Sequence, residues 1–515
     1  MGPPTSLALR LRRLTLGAVL AAAAVAAAAS DCQALLRLQR ADLRITAATP
    51  VAAASGFVPP VANARAPERD FCRVEGVIEK EIGFELWLPE AGRWNGKLLT
   101  GGVGGQAGNF NYRELVRGVR RGYASASTDT GHKASDRHWL LGDPARAPNY
   151  AHRANHVLAV QAKAIVAAYY GTAASRAYFV GCSGGGRQAL TEAQRYPDDY
   201  DGIIAGAPGP KTPEMSARRM WEMQQHTRHA ATMNAAAWRL IAAAGAAACD
   251  AHDGAKDGVA DDPRACPFDI ASLRCTGGRS DGCLSDAQID VARRVYAPLH
   301  DENGKRIDDG LLPGVLVRPE PLPEPFTPGA PYLAVALFGD GVHRDRHWDP
   351  RSFRIADDLP AIDRVMDLRA DNPDLSAFAA RGGKLIVYQG WADPLVAAQP
   401  TVDYFEAVER RMGGRERTAG FARLYMVPGM DHCIGGTGPD RFGGAGEDAP
   451  VVDARHDLLS ALEAWVERGA APTHVIASQV VGGQVVRTRP LCPHPQRARS
   501  LGTGRVDEAS GFECR

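Results

Sequence analysis

Two dipeptides far apart in the chain constrain it most: Cys182-Ser183, inside Gly181-Cys182-Ser183-Gly184-Gly185, and His432-Cys433, inside Met430-Asp431-His432-Cys433. A serine and a histidine that share a hydrogen bond bring their chain neighbours close together. A disulfide needs Cα atoms roughly 4.4–6.8 Å apart, a distance such neighbours satisfy. A Cys182–Cys433 bridge therefore staples Ser183 to His432 and demands a fold that returns residue 432 to residue 183. It closes a loop of about 250 residues, worth up to roughly 5 kcal/mol in the chain-entropy model before strain is subtracted.

Gly181-x-Ser183-x-Gly185 has the form of a nucleophile elbow, a strained strand-to-helix turn that tolerates only small flanking residues. Its context agrees. Ala177-Tyr178-Phe179-Val180 reads as a short buried strand, and Gln188 to Arg195 suits the following helix. Further strands are expected at Phe84–Leu88, Lys97–Thr100, Gly122–Ser127, Ile203–Ala207, Lys384–Tyr388 and Arg423–Val427, with helices over His152–Tyr170 and about Asp457–Glu467. This alternation predicts an α/β fold, an α/β-hydrolase core with a mostly parallel sheet covered on both faces. Residues 31–208 and 376–515 would form the two parts of that core. Residues 209–375, with four cysteines, an Asp-rich loop and the Pro-rich run Leu312–Pro331, break the rhythm and read as an inserted lid domain.

His432 follows a strand late in the core, where the base of such a site belongs. Asp393, in Gly390-Trp391-Ala392-Asp393-Pro394, directly follows the strand Lys384–Tyr388 and is the expected acid. Asp431 is nearer in sequence, but adjacent side chains point apart. The order Ser183, Asp393, His432 is the α/β-hydrolase order. Ser183 would attack an ester carbonyl, with His432 taking its proton. The oxyanion then needs N–H donors: Gly184 after the nucleophile, and Gly104 or a neighbour in Gly101-Gly102-Val103-Gly104-Gly105. No GK[ST] follows that loop, so it does not read as a phosphate cradle.

Residues 1–30 read as a cleaved signal peptide. Arg10, Arg12 and Arg13 precede an apolar run from Leu14 to Ala29, short of the ~20 residues that span a bilayer, and Ser30-Asp31 suits cleavage. Arg12-Arg13-Leu14 weakly matches a twin-arginine signal, which leaves the export route open. Ten cysteines, an even number, then favour disulfides. Local spacing suggests Cys249–Cys266, Cys275–Cys283 and Cys492–Cys514, and Cys32–Cys72 remains once the Cys182–Cys433 pair is removed. None forms CxxC, so zinc has little support. A secreted or periplasmic protein with no membrane partner after cleavage is expected. A net charge of +1 gives no support for nucleic acid.

The loop from Cys249 to Cys266 is rich in aspartate and glycine. Calcium takes six to eight oxygens from carboxylates and carbonyls; here Asp250, Asp253 and Asp257 offer side chains, and Ala255 and Val259 carbonyls. The spacing is not that of an EF-hand, and a solvated acidic turn has the same composition. Any metal there would be structural.

The chain as a whole resembles the tannase and feruloyl esterase family of α/β-hydrolases. The resemblance rests on Trp94-Asn95-Gly96-Lys97, the Gly102–Gly108 loop, Ser127-Thr128-Asp129-Thr130-Gly131-His132, and Gly181-Cys182-Ser183-Gly184-Gly185-Gly186-Arg187-Gln188. It continues in Asp201–Pro208, the Asp393 loop, His432-Cys433 and Arg489-Pro490-Leu491-Cys492-Pro493. Gly184 stands where relatives often carry Thr or Glu. The resemblance implies a Cys-Ser/Asp/His-Cys site, a calcium-bearing lid, and hydrolysis of small aromatic esters: feruloyl or galloyl esters or, in one branch, mono-hydroxyethyl terephthalate. Trp221, Trp348 and Phe353 of the lid are candidates to stack on the aromatic ring, and Arg344 or Arg346 to bind a carboxylate. The alternative of another class is a secreted binding protein on a hydrolase scaffold, and an intact triad argues against it.

Overall fold

Apolar residues alternate along the central strands so that each strand feeds two cores. Phe179, Ile203, Leu385 and Val387 pack with Leu158 and Ile165 on one side. Tyr178, Ile204, Ile386 and Tyr388 pack with Leu459, Leu462 and Trp465 on the other. A sheet buried on both faces is the condition for parallel strands joined by helices.

The computed structural model describes residues 1–2, 31–61, 66–278, 281–322, 332–444, 446–502 and 504–515. The predicted signal peptide lies outside the described residues, apart from residues 1–2. Nine strands form the main sheet: β1 (Leu43–Val51), β2 (Phe71–Ile78), β3 (Ile82–Pro89), β4 (Lys97–Gly101), β5 (Ala124–Thr128), β6 (Arg176–Cys182), β7 (Gly202–Gly206), β8 (Lys384–Gly390) and β9 (Ala422–Val427). Their spatial order is β1-β2-β3-β5-β4-β6-β7-β8-β9. The pairs β1–β2, β2–β3 and β3–β5 are antiparallel. From β5 to β9 every pair is parallel. This is the mostly parallel α/β-hydrolase sheet that the strand–helix alternation predicts, extended by an antiparallel edge.

Helices α1 (Tyr112–Arg120), α2 (Ala154–Tyr170) and α3 (Gly184–Arg195) connect the first half of the sheet. Asn111 caps α1 by accepting from Glu114 N, and α2 ends at Gly171, whose φ of 72° suits glycine. Between β7 and β8 the chain forms α4 (Thr212–Arg228), α5 (Ala235–Cys249), α6 (Asp286–Tyr296) and α7 (Ile355–Val365). None of the described residues there joins the main sheet. That stretch has apolar clusters of its own, one around Trp238, Ile241 and Leu284. Another, around Phe338, Phe353 and Leu359, also takes in Trp139 and Tyr150. After β8 come α8 (Gln399–Arg411) and α9 (Leu458–Arg468), then two hairpins, β10 (Val475–Val481) with β11 (Gln484–Leu491) and β12 (Ala498–Ser500) with β13 (Phe512–Cys514). Five disulfides join Cys32–Cys72, Cys182–Cys433, Cys249–Cys266, Cys275–Cys283 and Cys492–Cys514.

Candidate active site

Ser183 stands between the end of β6 and the first residue of α3 with φ 61° and ψ −127°. A non-glycine residue in that region costs of order 1–3 kcal/mol and is retained where the surroundings impose it. They do so here by close approach. A Cβ on Gly181 would lie 2.3 Å from the Gly185 carbonyl oxygen, and one on Gly185 would lie 2.9 Å from the Gly102 backbone. The two glycines flanking Ser183 are thus required by contact.

The loop after β4 lies against this turn. Gly102 N donates to Val180 O at 2.9 Å. Val103 N donates to Gln188 Oε1 at 2.9 Å, and Asn111 Nδ2 to Gly102 O at 2.7 Å. A Cβ on Gly104 would sit 3.7 Å from Ser183 Cβ, and one on Gly184 3.2 Å from Gly105 N. Gly104, Gly105 and Gly184 therefore surround the serine with backbone. From below, Tyr150 Oη donates to Gly105 O at 2.9 Å, and the buried Arg187 guanidinium lies 5.0 Å from the Tyr150 ring centroid. His132 Nε2 pairs with Gln106 O at 2.8 Å, and its ring stacks on Trp139 at 4.0 Å. Burial pushes His132 down to about 4, so at neutral pH its uncharged ring donates from Nε2.

Asp393, 1% exposed, follows β8. Its Oδ1 accepts from Leu395 N at 2.8 Å and Val396 N at 2.9 Å. Its Oδ2 pairs with His432 Nδ1 at 2.8 Å and accepts from Gln389 Nε2 at 3.2 Å. With Nδ1–H directed at the carboxylate, Nε2 keeps its lone pair for a proton. Asp431 Oδ1 accepts its neighbour's backbone, His432 N, at 2.8 Å, and Oδ2 pairs with Arg318. Asp431 thus holds the loop and leaves the ring to Asp393. The Cys182 and Cys433 Cα atoms are 6.1 Å apart. Among the described residues, no hydrogen bond joins Ser183 to His432. The bridge brings their backbones together, and contacts of this kind often close only with substrate bound.

The acidic loop is arranged differently. Asp250 Oδ1 accepts from Asp257 N at 2.8 Å and Gly258 N at 2.6 Å. Asp253 Oδ1 accepts from Ala255 N at 2.9 Å and Asp257 Oδ1 from Val259 N at 3.1 Å. The outer oxygens of Asp253 and Asp257 meet the Arg489 guanidinium, as does Asp261 at 2.6 Å. Among the described residues, no three acidic, histidine or cysteine side chains stand in metal-binding geometry. The donor chemistry nevertheless suits a hard cation. Asp253, Asp257 and Asp261 share the Arg489 guanidinium, Asp250 lies beside them, and burial pushes Asp261 up to about 7. Among the described residues, the backbone carbonyls of Ala255 and Val259 accept no backbone hydrogen bond, although both residues are buried.

The aromatic candidates of the 209–375 stretch lie in or beside apolar clusters. Trp348 stacks on His343 at 4.9 Å and Phe353 lies tilted against Phe338 at 4.7 Å, both Trp348 and Phe353 inside an apolar cluster. Trp221 is half-buried between two such clusters. Arg344 donates to the Leu140 carbonyl, and Arg346 is exposed. None of these contacts the residues around Ser183 in the hydrogen bonds or ring contacts described, so spacing alone does not identify a substrate wall. Sequence reasoning also missed Gln188, Asn111, Gln389 and Arg318. Only Gln188 left a trace, one helical turn beyond the nucleophile.

The family model described as tannase and feruloyl esterase matches residues 68–314 and 337–515. An uncharacterised esterase of Xanthomonas campestris is 37% identical, over 98% of this chain and 95% of its own. Mono(2-hydroxyethyl) terephthalate hydrolase of Piscinibacter sakaiensis is 32% identical, over 90% and 88%. The crystal structure of feruloyl esterase B from Aspergillus oryzae superposes with a TM-score of 0.85 at 25% identity, covering 95% of this chain and all of that one. An elbow serine beside a backbone-lined loop, an aspartate–histidine pair bridged to it, and matches along most of the chain converge: the protein belongs to the tannase and feruloyl esterase family and is a carboxylic ester hydrolase.

Proposed function

We propose that the protein is an exported serine esterase that cleaves feruloyl or galloyl esters through an acyl-enzyme. The observation that carries the reading is the 2.8 Å Asp393–His432 pair, on a loop disulfide-bonded to the residue before Ser183. His432 Nε2 takes the Ser183 proton as Oγ attacks the ester carbonyl, and Asp393 fixes the ring and stabilises the imidazolium. The N–H groups of Gly184 and Gly104 receive the oxyanion. Collapse expels the alcohol with the proton from His432. Water, deprotonated by the same histidine, then releases the acid and restores the serine.

Five disulfides support export, and no described helix is long and apolar enough to cross a membrane. Calcium remains part of the proposal as a structural ion. Asp250, Asp253 and Asp257, with the Ala255 and Val259 carbonyls, would hold it, and it would offset the excess negative charge of their loop. A terephthalate monoester is the second substrate reading, favoured by the 32% identical hydrolase that spans most of this chain.

Purified oxidised enzyme should be tested on methyl ferulate, methyl gallate, mono-hydroxyethyl terephthalate and a nitrophenyl ester, with Ser183→Ala in parallel. Turnover of one aromatic ester that falls about 10⁴-fold or more in the variant is expected. Turnover surviving the substitution would sink the serine mechanism. Preference for the terephthalate ester would replace the feruloyl and galloyl reading by the second one.

A further inference from the structure

Arg318 is held by the stretch between β7 and β8 yet reaches a residue of the His432 loop. Its segment is fixed from behind: Val315 and Val317 are buried, Glu320 N donates to His226 Nδ1 at 3.1 Å, and Leu322 N to Thr227 Oγ1 at 2.8 Å. Both partners lie on α4. From this anchored backbone the Arg318 side chain, 58% exposed, crosses to Asp431 Oδ2. The other oxygen of Asp431 receives the backbone N–H of His432 at 2.8 Å. One carboxylate thus ties a residue outside the main sheet to the proposed base.

We infer that Arg318 is a positioning residue, which sets the place and the proton affinity of His432 by clamping Asp431. The inference rests on His432 being the base of the proposed mechanism. The charged groups facing Asp431 are Arg318 from the α4–α7 stretch, Asp393 after β8 and His432 on its own loop. Farther along that loop, Asp440 receives Gly435 N at 2.7 Å and lies 3.7 Å from Arg441. Burial raises Asp431, so without a cation its carboxylate is poorly compensated. Removing Arg318 leaves two carboxylates, Asp393 and Asp431, around the imidazole with no countercharge. The imidazolium is then favoured, and the base is neutral only at higher pH.

The test is the pH dependence of kcat/KM for the full oxidised enzyme on the best ester of the panel. The variants are Arg318→Ala, Arg318→Lys, Asp431→Asn and the Arg318→Ala/Asp431→Asn pair. Arg318→Ala is expected to lower kcat about tenfold with little change in KM, because a loosened base misplaces the proton transfer. Its acid limb should move up by roughly half a pH unit. Arg318→Lys should restore most of both, Asp431→Asn should move the limb down, and the pair should return it near the wild-type position. An acid limb unmoved in both single variants overturns the inference, as does a loss confined to KM, which would make Arg318 a substrate contact. Thermal melts separate misfolding from these effects, and the Lys variant keeps the test valid if Ala unfolds the enzyme. Failure here within an active, Ser183-dependent enzyme leaves the esterase reading standing; absence of Ser183-dependent turnover would remove that reading itself.

Discussion

Around His432 each carboxylate has its own partner: Asp393 faces the imidazole and Asp431 faces Arg318. Around Arg489, three carboxylates share one guanidinium, and Asp250 beside them accepts from the backbone N–H groups of Asp257 and Gly258. Both clusters are stapled by a disulfide, Cys182–Cys433 in one and Cys249–Cys266 in the other. The contrast separates two uses of buried charge. Carboxylates partnered one to one, with an imidazole nitrogen left over, suit proton transfer, whereas several carboxylates crowded on one cation suit neutralisation by an added ion. Damage to the first cluster should appear in kcat, and damage to the second in melting temperature.

The bridges give the largest test of that division. Replacing Cys182 and Cys433 by serine opens a loop with a sequence separation of 251. It should cost up to about 5 kcal/mol of stability and lower kcat by roughly 10² or more as the His432 loop drifts. Replacing Cys249 and Cys266 opens a separation of 17. That should cost about 3 kcal/mol at most and leave kcat of the folded enzyme near wild type. Denaturant melts and kinetics on the same samples check both. Full activity after quantitative reduction of Cys182–Cys433 would show that the bridge does not position the base.

What the sequence disclosed follows the same line between local and distant causes. Strands β4 and β6–β9 were legible because burial on both faces makes each a short apolar run. Strand β1 was not: Leu43–Val51 buries one residue, Ala48, and contains Thr46, Thr49 and Pro50. The β10–β11 hairpin carries a signal in sequence, Gly482-Gly483 between two valine-rich runs. Ser183, Asp393 and His432 could be proposed because each follows a strand. Gln188 and Arg318 act through polar side chains that reach across the fold, to residues 85 and 113 positions away. Nothing in local spacing marks such a partner. Trp348 and Phe353 are buried in an apolar cluster, and an aromatic residue looks the same in sequence whether it lines a cleft or fills a core.

Arg489 sharpens the second half of the comparison. It is buried, touches three aspartates and lies 4.2 Å from the Phe512 ring centroid. Arg489→Met should destabilise the protein by about 3–5 kcal/mol by leaving buried carboxylates unpaired. Calcium should raise the wild-type melting temperature and recover part of the loss in the variant, with about 2.7 kcal/mol available at a hundredfold excess over Kd. A chelator should reverse both. Melting temperatures indifferent to calcium and chelator alike would make Arg489 sufficient for the loop and remove the ion from the reading.

A smaller effect would blur the division between the two clusters, because His132 serves the catalytic side through stability. It holds the loop of Gly104 by way of the Gln106 carbonyl. Its folded-state value is depressed to about 4, against about 6.5 when unfolded. Between those values the unfolded chain binds more protons, so stability is present in full above pH 6.5 and falls as the pH drops toward 4. The loss should be less than about 3 kcal/mol. His132→Gln keeps a donor for Gln106 without the titration, so its melting temperature should fall less steeply over that window. Equal slopes in the two proteins would place the acid sensitivity elsewhere. A flattened slope together with activity retained to lower pH would show that the oxyanion loop, rather than the disulfide-held His432 loop, gives way first in acid.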